Sequence, residues 1–256
     1  MMVFAVVGVL LFVGVLAPFV INRGPTHSPE VRLLTEVAML DSAFKVYKER
    51  HGEYPPSDFD HLDNVNSPQY VALANHLKQA FPDADVKVEI AAIKSLGVRT
   101  PAQAVCFWLS GFAVERTRPV SSMHTGLSAS REAPIYDFEK TRLRFFKPGD
   151  QVPVYVPNGG EGAPYLYFAA VSYATQAPFC AVDWKGAGNG TARPYLSDKA
   201  PGQFVNPNSF QIISAGLDGD YGGGVGSFPS SKGYERGDYD NIVNFSDRNL
   251  GDAVPH

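Results

Sequence analysis

The sequence predicts an α+β protein: an N-terminal membrane helix and an amphipathic helix packed on a small antiparallel sheet, with an inserted α/β segment. Three observations carry that expectation. Residues 1–21 contain no charged side chain, residues 29–51 place apolar side chains on one helical face, and the last third of the 256-residue chain alternates β-prone runs with Gly-rich turns.

Residues 3–21 form an unbroken apolar run. At ~1.5 Å per residue it is just long enough to cross a hydrocarbon layer of ~30 Å. A core helix would show a polar face, and a secretory signal would show a basic start and a small-x-small cleavage site. A transmembrane helix over 1–22 is therefore the expectation; a cleaved signal is the alternative, with Val15-Leu16-Ala17 as a poor cleavage context. Residues 23–29 read as a kinked linker, because Gly24, Pro25 and Pro29 interrupt a continuing helix. Residues 30–256 read as one globular domain with an insert at about 56–160.

Ser28 stands where an N-cap belongs, followed by Pro29 and the first-turn acid Glu30. Leu33, Val37, Leu40, Phe44 and Tyr47 then recur at spacings of four and three, the stripe of an amphipathic helix. Gly52 is placed for a left-handed C-terminal cap, and Tyr54-Pro55-Pro56 forbids continuation. In the insert, a helical piece is expected over Tyr70–Ala80 and a strand over Val86–Ile90. Thr100-Pro101 opens a short apolar helix from Ala102 to about Gly111. A Ser-rich loop is expected from Arg118 to Arg131, and a half-exposed edge strand or hairpin within Ile135–Phe146. Val152–Val156 contains proline and so reads as a sheet edge. Tyr165–Val171 and Phe210–Ser214 are the strongest strand candidates.

Composition excludes several functions. The net charge is −4, and Lys and Arg are scattered without the basic stripe that phosphate backbones require, so nucleic acid is not an expected partner. Cys106 and Cys180 cannot form a structural zinc site by themselves; one disulfide and two buried thiols both remain open readings. The six histidines stand singly, never at metal-binding helical spacing, and are expected at the surface. Neither a Gly-x-Ser-x-Gly elbow, a phosphate-binding P-loop nor a dinucleotide fingerprint occurs, and no catalytic residue is assigned. Asn189-Gly190-Thr191 and Asn244-Phe245-Ser246 match the glycosylation tripeptide.

The most informative feature after the apolar run is Ser214-Ala215-Gly216-Leu217-Asp218-Gly219-Asp220-Tyr221, answered by Gly237-Asp238-Tyr239-Asp240. Calcium takes six to eight oxygens at ~2.3–2.6 Å, which carboxylates and carbonyls of a Gly-rich loop can supply. Asp218, Asp220, Asp238 and Asp240 are the candidate ligands. The competing reading is an ordinary hairpin with Asp-Gly turns and solvated acids. The twelve-residue EF-hand pattern is not met.

Three segments in order carry a family resemblance: Tyr47-Lys48-Glu49-Arg50-His51-Gly52-Glu53-Tyr54-Pro55, Gly162-Ala163-Pro164-Tyr165-Leu166-Tyr167, and Phe210-Gln211-Ile212-Ile213-Ser214-Ala215-Gly216-Leu217-Asp218-Gly219. With the apolar front end they resemble type IV pilin-like proteins, closest to the major pseudopilin of type II secretion systems. The resemblance covers about half the chain. It implies a single-pass inner-membrane protein with its globular domain in the periplasm, self-association into a fibre through the apolar helix, and contacts with other pseudopilins and inner-membrane secretion components. It also implies calcium in the acidic loop, with Asp218 and Asp240 matching best. The family's leader and Phe-Thr-Leu-x-Glu motif are expected upstream of Met1, and the insert has no family counterpart. The competing functions are a membrane-tethered envelope protein whose aromatics hold a ligand, and a tethered hydrolase.

Overall fold

The computed structural model describes residues 28–124, 130–157, 162–180, 190–223 and 226–255. The expected membrane helix over 1–22 and the linker up to His27 lie outside the described residues. Among the described residues no helix is long and apolar enough to cross a membrane.

The first described element is α1 (Pro29–His51), and its ends are those written in the sequence. The Ser28 hydroxyl accepts from Val31 N at 3.4 Å, and Gly52 closes the helix at φ 90° with its N–H on Lys48 O. Leu33, Val37, Leu40, Ala43, Phe44 and Tyr47 are buried. They face a three-stranded antiparallel sheet of β3 (Leu166–Ala169), β7 (Phe210–Ser214) and β9 (Ile242–Val243), with β7 in the middle.

Register fixes the two faces of this sheet. Tyr167 opposes Ile212, and Ala169 opposes Phe210, on the α1 side; Leu166 opposes Ile213, and Phe168 opposes Gln211, on the other. Because side chains alternate along a strand, each face feeds its own core. On the α1 side Phe44 stacks on Tyr167 at 3.8 Å between ring centres. On the far side Leu166, Phe168, Ile213 and Val243 pack with Tyr173, Phe179, Tyr195 and Tyr221. The sheet is therefore buried on both faces.

The inserted segment contributes much of the first core. It supplies α2 (Pro68–Ala80), α3 (Val86–Leu96) and α4 (Pro101–Leu109), and every residue of α4 is buried. Trp108 sits in the first core and donates from Nε1 to Pro56 O at 2.8 Å. An apolar helix without a polar face cannot lie on a surface, so α4 had to be internal. The strand expected at Val86–Ile90 is the first half of α3. Asp85 caps it through Lys87 N and Val88 N, and Gly97 ends it at φ 73°; the cap outweighs the β-branched residues that suggested a strand.

The remaining elements are short. Within Ile135–Phe146 only β1 (Leu143–Arg144) is strand, paired antiparallel with β2 (Val154–Tyr155), so the proline-bearing run does lie on a two-stranded ribbon. A helical turn, Ser121–His124, breaks the Ser-rich loop. Over the far face of the sheet, β4 (Phe179–Cys180) pairs with β5 (Thr191–Ala192), and β6 (Leu196–Ser197) runs parallel to β8 (Ser227–Phe228). The segment Tyr165–Val171 ends as a 3₁₀ turn over Ala170–Ser172. Cys106 is a free, buried thiol; its burial pushes its pKa up, as expected for an inert core cysteine.

Candidate functional site

The three segments that carry the family resemblance meet in space. After α1, Pro55 O accepts from Tyr167 OH at 2.8 Å, Ser57 Oγ accepts from Ala169 N at 2.9 Å, and Tyr54 packs edge-on against Phe210 with ring centres 4.8 Å apart. The Tyr-Pro-Pro stop thus ties the end of α1 to β3 and β7. Each of these backbone groups would otherwise be buried without a partner, at a cost of ~1–3 kcal/mol.

At the opposite end of α1 lies a cleft of about 350 Å³, lined by Pro29, Arg32, Leu33, Glu36, Pro157 and the Gly216–Gly219 turn. On its floor Glu36 receives a bidentate guanidinium from Arg142, both N···O distances being 2.7 Å, and a hydrogen bond from Tyr165 OH. Arg142 also donates from Nε to Val156 O at 2.8 Å and lies over the Tyr155 ring, 4.2 Å from its centre. This nearly buried pair joins α1 to the end of the insert. Fork-to-fork geometry satisfies both charges, and loss of either partner strands the other. Burial is the largest influence on Tyr165 and, with the Glu36 charge beside it, keeps the phenol protonated.

The acidic loop leaves β7 at the rim of this cleft. Asp240 Oδ2 accepts from Leu217 N and from Asp218 N, the latter at 2.9 Å. Asp218 Oδ1 accepts from Asp220 N at 2.8 Å, and Asp220 Oδ1 from Gly222 N at 2.9 Å. The acids therefore act as a ladder of turn caps, as Asx turns do. Burial, and after it the charges of Asp240 and Asp220, raise the Asp218 pKa; the Asp220 N–H pulls the other way.

Asp238 stands apart, on the buried side. Its Oδ1 accepts from Tyr195 OH at 2.7 Å and its Oδ2 from Glu235 N at 2.8 Å. Burial raises its pKa against those two hydrogen bonds. Asn241 completes the network, donating from Nδ2 to Tyr195 OH and to Tyr221 O, while its buried Oδ1 has no hydrogen-bond partner among the described residues. Hydrogen bonds thus link Asp240, Asp218 and Asp220 through one run of turns, while Asp238 bonds Tyr195 and Glu235 instead. As arranged, their oxygens face backbone N–H groups and a phenol, and among the described residues no three His, Cys, Asp or Glu side chains form a metal set. Asp218, Asp220 and Asp240 each use one carboxylate oxygen in these bonds.

Sequence reasoning missed a second cluster. His76, expected at the surface, is buried in the first core, with Nε2 2.8 Å from Tyr47 OH and Nδ1 2.9 Å from Glu53 Oε1. His51 lies beside it, its ring 4.4 Å from Tyr47 and 5.3 Å from Phe81. Burial lowers both imidazole pKa values, that of His51 to about 4, with the neighbouring His76 charge as the second cause. The order carboxylate, imidazole, hydroxyl mimics a hydrolytic relay, but Tyr47 has no exposed surface and meets no substrate. A His on the helical stripe of α2, three residues after Leu73, was the available signal. Asn244 of the second glycosylation tripeptide is also occupied: it donates to Asp41 and accepts from Ile212 N, both at 2.9 Å. Asn189 lies outside the described residues.

The chain matches no protein-family model, no curated protein and no solved structure. Its own geometry carries the functional reading.

Proposed function

We propose that the chain is a structural subunit of a pilin-like fibre, of the type II secretion pseudopilus kind, anchored in the inner membrane by residues 1–22 with its globular part in the periplasm. The observation that supports this most is the docking of three separated motifs on one unit. A capped helix lies on an antiparallel sheet, its Tyr-Pro stop bonds the Gly-x-Pro-Tyr-x-Tyr strand, and the acidic loop leaves the central strand. The apolar run would stay in lipid before assembly and exchange lipid for helix contacts afterwards, at little hydrophobic cost. Other pseudopilins and inner-membrane secretion components are the proposed partners.

Calcium belongs to the same proposal, with Asp218 and Asp240 first and Asp220 and Asp238 behind them. What supports it is donor chemistry: burial and, after it, the neighbouring charges of Asp240 and Asp220 raise the pKa of Asp218, and a cation would offset both. The test is the full chain in membranes, examined for filaments by electron microscopy and for its melting temperature with calcium and with a chelator. Filaments that vanish when residues 3–21 are deleted, with a calcium-dependent melt lost in Asp218→Ala/Asp240→Ala, are the expected result. A chain that never leaves the monomeric state refutes the fibre.

A second reading, a tethered ligand-binding protein, is favoured by one observation. A cleft of about 570 Å³ beside the C-terminal segment is lined by Phe228, Phe245, Asp247 and Arg248. Apolar walls with a few polar groups are the usual composition of a ligand site.

A further inference from the structure

The chain enters α1 from one end of the molecule, and the turn after β7 returns to that same end. The first residue of β7, Phe210, has its ring 5.5 Å from that of Phe44 late in α1. The strand then runs back along the helix until its following turn, Gly216–Gly219, lines the cleft beside Pro29. Asn249 reaches this end too, donating to Glu30 Oε1 at 2.9 Å.

On that turn Leu217 is 55% exposed. Its backbone is held in place: Gly216 and Gly219 take φ 61° and 72°, and Leu217 N and Asp218 N both donate to Asp240 Oδ2. A large apolar side chain is thus kept outside the core by a fixed turn, with Pro29 and Pro157 adding apolar surface beside it. Charge selects no partner here. Glu30 is bonded to Asn249, Asp247 is paired with Arg248 at 3.1 Å, and Asp218 shares the cleft with Arg32, so this end carries both signs.

Chain length says what lies opposite. The apolar run ends at Ile21, and only residues 22–27 separate it from Ser28. Fully extended at ~3.5 Å per residue, that stretch spans roughly 20–25 Å, of which the headgroup layer takes up ~5–8 Å. With residues 3–21 in a bilayer, the start of α1 therefore stays close to the lipid surface. A contact too weak to bind a free molecule is sufficient on so short a tether, because it forms within one chain.

We infer that the globular part of the unassembled chain rests on the bilayer through this end, with the Leu217 side chain inserted at the boundary of headgroups and acyl chains. This placement rests on the reading of residues 1–22 as an anchor, and adds to it where the folded part lies before a fibre forms. The contact is apolar, as for other interfacial insertions, so neutral lipid suffices. Arg50 marks the other end: it is exposed and lies 21 residues beyond Pro29 on α1, ~30 Å away at ~1.5 Å per residue.

Full-length chains carrying Leu217→Cys or Arg50→Cys are labelled with the same fluorophore in phosphatidylcholine nanodiscs, some of them containing lipids with a quencher on the acyl chain. The unsubstituted chain, which retains Cys106 and Cys180, sets the background, and co-elution with the discs reports anchoring independently. Quenching several-fold stronger at 217 than at 50 is the expected result. Because a label can itself seek lipid, a second measurement leaves residue 217 unlabelled. Tumbling of the globular part, read by anisotropy decay from the Arg50→Cys label, should quicken several-fold when Leu217→Asp is added. Equal quenching at the two positions, or tumbling unchanged by Leu217→Asp, in chains that co-elute with the discs overturns the placement and leaves the anchor standing. Chains that never enter the discs remove both.

Discussion

The two faces of the central sheet are covered in opposite ways. The α1 face is sealed by long, capped helices and large rings: Phe44, Tyr47 and Trp108 are fully buried there. The far face is sealed by two-residue strands and turns, stitched by side chains to backbone. Gln211 donates to Tyr195 O and Val205 O and accepts from Tyr195 N, and Asp238, Tyr195 and Asn241 form a buried chain of hydrogen bonds. The first region is held chiefly by apolar area, and the second adds a buried hydrogen-bond network to an apolar core of its own. Their failure modes should differ, since area loss lowers the stability of the whole while a broken network opens locally.

The largest effect that separates the regions is Trp108→Ala. The change removes a fully buried indole and strips Pro56 O of its donor. Large-to-small substitution of this kind costs about 3–5 kcal/mol. Urea denaturation should show a single cooperative transition at a much lower midpoint. If only the helical insert melted, leaving the sheet folded, the first core would be two units and the comparison would be wrong.

Asp238→Ala probes the other face. Tyr195 OH and Glu235 N lose their acceptor in a buried site, at about 1–3 kcal/mol for the stranded groups. Part of that is offset, because burial already disfavours the Asp238 charge. Hydrogen exchange should quicken around Tyr195, Asp238 and Asn241 while α1 and α4 keep their protection. Uniform acceleration across both regions would show that the two cores open together.

Legibility in the sequence follows the same division. The ends of α1 and α4 were readable because caps are local chemistry: Ser28-Pro29, Gly52 and Thr100-Pro101 act within one turn. The strands β3 and β7 were readable because they are rich in aromatic and β-branched residues, and β3, buried on both faces, is a continuous apolar run. The second region was not readable. Its two-residue strands are defined by partners far along the chain, such as Leu196 beside Ser227, and no periodicity survives in so short a run. The acidic loop was legible as a cluster but not as an arrangement. Composition put Asp238 with Asp218, Asp220 and Asp240, whereas the Tyr195 hydroxyl draws Asp238 inward. The burial of His76 and the Glu36–Arg142 pair likewise needed the tertiary fold, since the latter spans 106 residues.

The smallest effect is one of acidity, and its histidine part lies in the first region. The His51 imidazole is held neutral in the fold, its pKa lowered to about 4 from 6.5 by burial and then by His76; His76 is lowered too, with Glu53 pulling against its burial. A lowered histidine pKa means that the unfolded chain takes up more protons than the folded one between the two values. The stabilising term is therefore complete above about pH 6.5 and is lost as the pH falls toward 4. Asp58, Asp218 and Asp238 work in the opposite sense near the ordinary carboxylate range, because their raised pKa values favour the folded state in acid. The net expectation is a melting temperature that declines from pH 6.5 to 4.5, with a smaller decline in His51→Phe, which keeps the ring contacts with Tyr47 and Phe81 and removes the proton site. An equal decline in that variant would take the acid sensitivity away from His51 and leave His76, lowered by burial in the same core, as its source.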